Sequence, residues 1–202
     1  MSDKTKIAVL VSGGGTNLQA LIDAQKSGII TDGEITLVIS NKEGAYALTR
    51  AQNANIKTET VLKKDFGSQK EFEQKIMSLI NDNGIQIIVL AGFMSILSEE
   101  FTSAYPKRII NVHPSLIPSF CGKGFYGLHV HEAALEYGVK VTGATVHFVN
   151  EIPDGGEIIA QKAVEIIDDD TPEVLQKRVM EQAEWIILPQ AVQKVSAFYR
   201  NN

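Results

Sequence analysis

The sequence predicts an α/β fold: a mostly parallel sheet with helices on both faces and a mixed or antiparallel C-terminal extension. Three observations carry that expectation. Short β-branched runs alternate with longer amphipathic stretches through the first two thirds of the chain, the pattern of repeated βαβ units. The runs are apolar nearly throughout rather than at every second position, as in strands covered on both faces. In the last third, two strand-like runs flank Pro153-Asp154-Gly155-Gly156, a turn that reverses the chain and makes this end antiparallel.

In chain order, residues 7–11 (IAVLV) give the first strand, and a helix over 17–26 follows a glycine-rich turn. Residues 35–40 (ITLVIS) give the second strand, followed by a helix over 45–53 and a minor strand over 57–61. Phe72, Ile76, Leu79 and Ile80 fall at helical spacing, and Asn83-Gly84 stops that helix with a pair suited to a left-handed cap. Strands over 85–91 (IQIIVLA) and 108–112 (RIINV) bracket a helix over 98–104. After His113 the composition changes: Pro114, Pro118, Gly122, Gly124 and Gly127 crowd into what reads as a long functional loop. A helix over 129–137 and strands over 141–149 and 157–166 follow. Thr171-Pro172-Glu173 then opens a C-terminal helix with Leu175, Val179, Ala183 and Ile187 on one stripe. With no repeat, low-complexity tract or linker, residues 1–202 read as a single domain.

Composition narrows the function. A chain of 202 residues buries about 70% of the surface its unfolded form exposes, so the core needs no staples. One cysteine cannot make an internal disulfide, which favours a reducing, cytoplasmic location. A net charge of −5 argues against nucleic acid as a partner, whose nonspecific binding rests on clustered Lys and Arg. The apolar run before the first glycines is too short for a signal-peptide core or a membrane span, so no membrane association is expected.

Ser12-Gly13-Gly14-Gly15-Thr16-Asn17 follows a buried strand and opens a helix, where backbone N–H groups and the helix dipole face outward together. Two readings stand: a phosphate site, and a tight turn that merely needs φ > 0. The segment is not an ATP-type loop, for no Lys-Ser/Thr pair follows the glycines. Nor is it a dinucleotide fingerprint: Leu18 stands at the third glycine's place, and the second strand ends Ser40-Asn41-Lys42 with no acid for a ribose hydroxyl.

Asn111 and His113 stand two apart at the carboxyl end of a parallel strand, so they project to one side at the edge where open α/β sheets bind ligands. An amide and an imidazolium there are suitable donors for an oxyanion on an attacked carbonyl. The competing reading makes His113 a capping histidine before Pro114. Asp154 either reverses a hairpin or folds back beside His113 and favours its imidazolium. His147, mid-strand, reads as a hydrogen-bonded structural histidine with a supporting role behind the site. His129 and His131 share a helix face with no Cys or acid at ligand spacing, so no metal is expected. Cys121 invites a nucleophile reading with His113 as base, but nothing around it marks a stabilised thiolate. Phe93, Phe120, Phe125, Tyr126 and Trp185 are core or lid candidates.

Taken together, five blocks in order resemble the phosphoribosylglycinamide formyltransferase (GAR transformylase) family of folate-dependent purine-synthesis enzymes, over nearly the whole chain. They are Val11-Ser12-Gly13-Gly14-Gly15-Thr16-Asn17-Leu18-Gln19-Ala20, then Ser40-Asn41-Lys42, then Leu90-Ala91-Gly92-Phe93-Met94-Ser95-Ile96-Leu97, then Asn111-Val112-His113-Pro114-Ser115-Leu116-Ile117-Pro118, and Val146-His147-Phe148-Val149 followed by Asp154-Gly155-Gly156. The resemblance implies a Rossmann-like formyltransferase fold, with a ribonucleotide-binding part over roughly 1–105 and a catalytic and folate part over roughly 106–202. It implies that 10-formyltetrahydrofolate is the co-substrate and glycinamide ribonucleotide the acceptor, and it leaves a homodimer open. Asn111, His113 and Asp154 become the catalytic trio. Gly15, Thr16 and Asn17 hold the substrate's phosphate, and Glu184, with the stretch from Glu181, binds the ribose hydroxyls. Met94, Ser95, Ile96 and Leu97 wall the folate pocket, together with Asn111 and with Asn150, Glu151, Ile152, Pro153 and Asp154. Ser95 stands where relatives often carry Arg, and a second basic position falls on Gln69, beside Lys70. The stretch Cys121 to Tyr126 resembles an insertion and is expected to be a mobile lid. Sibling formyltransferases that act on methionyl-tRNA, and formyltetrahydrofolate hydrolases, carry further domains for which this chain has no room. A noncatalytic sensor of a phosphorylated metabolite would need Gly15 to Asn17 but not the trio.

Overall fold

The computed structural model describes residues 4–201; residues 1–3 and 202, the two ends of the expected single domain, lie outside the described residues. Strands β1 (Thr5–Val11), β2 (Gly33–Ser40), β3 (Lys57–Thr60), β4 (Ile87–Leu90), β5 (Ile109–His113), β6 (Val141–Phe148) and β7 (Ile158–Glu165) form one sheet in the order β3-β2-β1-β4-β5-β6-β7. The pairings from β3 across to β5 are parallel. Those of β5 with β6 and β6 with β7 are antiparallel. Both the parallel body and the antiparallel extension therefore match expectation.

Covering the sheet are α1 (Thr16–Lys26), α2 (Tyr46–Asn53), α3 (Gln69–Asp82), α4 (Glu99–Ala104), α5 (Leu128–Tyr137), α6 (Pro172–Val179) and α7 (Trp185–Asn201). The period-two geometry of a strand divides the core. Ile7, Val9 and Val11 of β1 join Leu18 of α1 and Leu188 and Val192 of α7 on one face. Ala8 and Leu10 join Phe72 and Ile76 of α3 and Phe101 of α4 on the other. That two-sided burial is why the strands read as unbroken apolar runs. Thr171 caps its helix as the sequence proposes, accepting from Val174 N–H, and Ser68 and Ser98 likewise accept from the backbone N–H groups of Glu71 and Phe101. At the end of α3, Gly84 alone takes the left-handed conformation (φ 62°).

The C-terminal helix departs from expectation. Its predicted stripe is buried, with Leu175, Val179, Ala183 and Ile187 all nearly inaccessible. The helix is not regular, however: Met180–Glu184 forms a π turn between α6 and α7. Four residues at strict spacing of four drift around a regular α-helix, and one wide turn resets the stripe onto the core. Downstream, Pro189 has no N–H for the carbonyl four residues back, so the ladder is weak there too.

The chain runs β1, β2, β3 outward, then returns to place β4 on the other side of β1. A crevice opens at such a switch point, outside the strands' carboxyl ends. The glycine turn after β1, the 91–98 loop after β4 and the end of β5 all meet there.

Candidate active site

Asn111 and His113 leave β5 from alternate positions at its carboxyl end, and the β5–β6 register sets Asn111 opposite His147. Asn111 Nδ2 lies 3.2 Å from His147 Nε2, and His147 Nδ1 lies 2.8 Å from the Phe148 carbonyl. A carbonyl only accepts, so Nδ1 carries the proton and Nε2 offers its lone pair to the Asn111 amide. Burial lowers the His147 pKa and so keeps this neutral form. One amide N–H of Asn111 is thereby fixed on His147, and the other remains for the cleft that Asn111 lines.

The Asp-Gly-Gly turn folds back over the sheet edge instead of simply closing a hairpin. Asp154 takes φ 56°, a left-handed conformation Asp tolerates better than most side chains. Gly156 passes so close to β6 that a Cβ would stand 1.7 Å from the Phe148 carbonyl oxygen. The Asp154 carboxylate then lies between two histidines, 3.6 Å from His113 Nδ1 and 3.7 Å from His147 Nε2. At these lengths neither is a hydrogen bond, and the carboxylate meets His147 as a neutral ring. Its hydrogen bond comes from Gly122 N–H at 2.8 Å.

His113 is 4% exposed, and its Nε2 donates to the Phe120 carbonyl at 2.8 Å. The expected free donor at this position is therefore engaged by the 119–127 loop. Phe120 itself sits at φ 48° and packs edge-on against Phe125 and Tyr137. Two backbone groups of the loop, the Phe120 carbonyl and the Gly122 N–H, thus close on two members of the trio, His113 and Asp154. Cys121 Sγ contacts the Pro118 carbonyl at 3.2 Å, and burial, then the Asp154 charge, push its thiol pKa up, opposite to a nucleophile's need.

On the far side of the cleft, Gly15 adopts φ 71°, and a Cβ there would meet Ala47 Cβ at 2.6 Å, so the turn and the close approach of α2 both require glycine. No side chain caps α1, and its first turn holds no acid, leaving its start open to an anion. Thr16 Oγ1 lies 3.9 Å from Met180 Sδ, and Asn17 Nδ2 donates to Glu184 Oε2 at 2.7 Å. Burial raises the Glu184 pKa, a cost the Asn17 bond offsets only in part. Glu181 is not brought to the cleft; its exposed carboxylate faces Lys177 at 3.8 Å. Gln176 and Met180 line the cleft instead. The missed signal was spacing: 176, 180 and 184 repeat every four residues along one helical face.

Asn17, Gln176, Met180 and Glu184 border, with the trio, one cleft of about 840 Å³ that reaches Met94, Ser95 and Ile96; Gly15 is not among its walls, and Thr16 lines a separate pocket with Arg50 and Trp185. A side pocket of about 120 Å³, lined by Leu97, Asn150 and Glu151, shares Asn111, Pro153 and Asp154 with the main cleft. Ile152 is exposed and lines neither. The 94–98 wall is clamped from both sides, which sequence reading missed. Ser12 Oγ donates to Asn41 Oδ1 at 2.6 Å and accepts from Met94 N–H at 2.8 Å, while Asn41 Nδ2 donates to Ser95 Oγ at 2.8 Å. From α3, buried Glu73 accepts from Ser98 N–H and Oγ–H and from Gln69 Nε2. Gln69 is thus engaged within the wall.

Residues 5–192 match the family described as formyl transferase. The phosphoribosylglycinamide formyltransferase of Haemophilus influenzae is 44% identical over 91% of this chain and 84% of its own length. The chain spans 19% of the length of the trifunctional purine biosynthetic protein adenosine-3 of Gallus gallus, at 44% identity over 97% of this chain. Among solved structures, glycinamide ribonucleotide transformylase 1 of Symbiobacterium toebii superimposes with a TM-score of 0.90 at 37% identity, covering 96% of this chain and 89% of that one. The phosphoribosylglycinamide formyltransferase of Coxiella burnetii gives a TM-score of 0.89 at 41% identity, covering 97% and 89%.

Proposed function

The chain belongs to the formyl transferase family, and on that premise we propose that it transfers the formyl group of 10-formyltetrahydrofolate to the amine of glycinamide ribonucleotide, a step of purine synthesis. The products are formylglycinamide ribonucleotide and tetrahydrofolate. One observation carries the reading: a single cleft joins the open start of α1, through Asn17 and Glu184, to Asn111, His113 and Asp154. The phosphate takes the Gly15, Thr16 and Asn17 turn, and the ribose hydroxyls take Glu184. The side pocket suits a folate ring system, since Leu90, Phe93, Leu97 and Val149 give it apolar walls beside the polar Asn111 and Asp154.

The amine attacks the formyl carbon, a C–N bond forms, and charge moves to the formyl oxygen. The free N–H of Asn111 and the His113 imidazolium donate to that oxygen, each such donor contributing on the order of 10²–10³ in rate. For His113 this is an exchange of acceptors: Nε2–H leaves the Phe120 carbonyl as the formyl oxygen takes its place. Asp154 holds His113 charged and, through a water, passes the amine's proton to the folate nitrogen as the old C–N bond breaks. The remote phosphate and ribose contacts orient the amine.

The test is formyl transfer from 10-formyltetrahydrofolate, followed by the folate absorbance change with and without glycinamide ribonucleotide. Turnover only with the ribonucleotide supports the proposal. Turnover without it points to hydrolysis, and none in either case points to a binding module; either result overturns the proposal.

A further inference from the structure

His131 lies one turn into α5, is wholly inaccessible to solvent, and has no hydrogen-bond partner at either ring nitrogen. Leaving a buried polar group unpaired typically costs about 1–3 kcal/mol, so two such atoms in one ring form an anomaly that packing alone does not explain. The ring is not remote from the chemistry. It lines the main cleft between the trio and the Gln176, Met180, Glu184 face, and His113 acts on it electrostatically. Burial, then the His113 charge, lower its pKa to about 4, so the imidazole is neutral at physiological pH and offers one N–H and one lone pair.

Resting on the proposed acceptor, we infer that His131 binds the amine-bearing arm of the ribonucleotide, one ring nitrogen pairing with that arm. The chemistry assigns this part by what the other groups already hold. The α1 start suits a phosphate, Glu184 a pair of hydroxyls, and the trio the formyl group. The glycinamide arm carries both a carbonyl acceptor and N–H donors, so either nitrogen of a neutral ring, the donor or the acceptor, finds a partner on it. A neutral ring also suits the reaction: its lone pair can accept an N–H of the unprotonated amine, the only form that can attack.

The inference is tested on the full chain with ¹⁵N-labelled histidine, adding glycinamide ribonucleotide without any folate; the chain has four histidines, whose ring signals are assigned by single substitution. The expected result is a shift at a His131 ring nitrogen. No shift at His131, whether or not His113 or His147 shifts, at a ribonucleotide concentration that raises Tm, overturns the inference and leaves the proposed activity standing; that activity falls separately, if no formyl transfer to the ribonucleotide is seen. A variant supplies the second readout. His131→Phe keeps the ring shape and removes the unpaired nitrogens, so its Tm should be equal or higher, while KM for the ribonucleotide rises at least tenfold and KM for the folate less than twofold. His131→Gln, neutral with donor and acceptor, should recover part of that loss. An unchanged ribonucleotide KM in His131→Phe, or a lower Tm with Phe and Gln equally impaired, would show that the ring serves the fold instead.

Discussion

Two carboxylates in this cleft have opposite environments, and each makes its own prediction. Asp154 is placed against two histidines and takes the Gly122 N–H, so Asp154→Asn keeps the shape and an acceptor but removes the charge that favours the His113 imidazolium. Steady-state kinetics should show kcat reduced about 10²-fold or more, with the ribonucleotide KM within about threefold, because the proposed anchors of that substrate are Asn17 and Glu184. An unchanged kcat removes Asp154 from the mechanism. Glu184 is buried with a single partner, and its pKa is raised above the ordinary 4.5 by burial. The folded chain therefore holds this proton more tightly than the unfolded one. Its contribution to stability is full below about pH 4.5 and is lost as pH rises through the folded value. Glu184→Gln should accordingly raise Tm at pH 8, show little difference at pH 4, and weaken ribonucleotide binding about tenfold or more through loss of a charged acceptor. A lower Tm at pH 8 would mean that the Asn17 bond outweighs burial.

Among the elements, the connection between β6 and β7 is the part most tightly specified by its sequence. A Cβ at Gly156 collides with backbone, whereas one at Gly13 meets nothing within 4 Å. Gly156→Ala should destabilise the fold by about 3 kcal/mol or more and displace Asp154, while Gly13→Ala should leave urea stability within about 1 kcal/mol. Equal effects would show that the turn is not held against β6. The legibility of the elements follows the same physics. Strands buried on both faces, the Thr171 helix start, and the Asn111-x-His113 spacing could be read because local pattern decides them. The π turn could not, since it arises from a conflict between a four-residue stripe and the helical repeat that only packing against the sheet resolves. For that reason Glu184 was placed in the site together with Glu181, although the wide turn carries one inward and leaves the other in solvent. The closing of Phe120 and Gly122 on the trio was likewise illegible, because backbone groups carry no residue signature.

At the scale of the whole molecule, the proposed reading gives anchoring and chemistry to different parts of the fold. The parallel part presents the α1 start, and the antiparallel part brings in His147 and Asp154 behind Asn111 and His113. Binding and turnover should therefore separate on mutation. A ligand held only by the folded state stabilises it by about 2.7 kcal/mol at a hundred times its Kd, which for a chain of this length is a Tm rise of about 5–10 °C. His113→Ala should keep most of that rise on addition of glycinamide ribonucleotide while turnover falls about 10²-fold or more. Glu184→Ala should lose most of the rise, because it removes the carboxylate beside the α1 start and leaves Asn17 without its partner. The thermal shift with ribonucleotide alone, measured beside turnover for both variants, checks the division. If His113→Ala abolishes the shift, His113 is part of the ribonucleotide anchor and the two halves act as one site. If it keeps both shift and turnover, the trio is not what moves the formyl group.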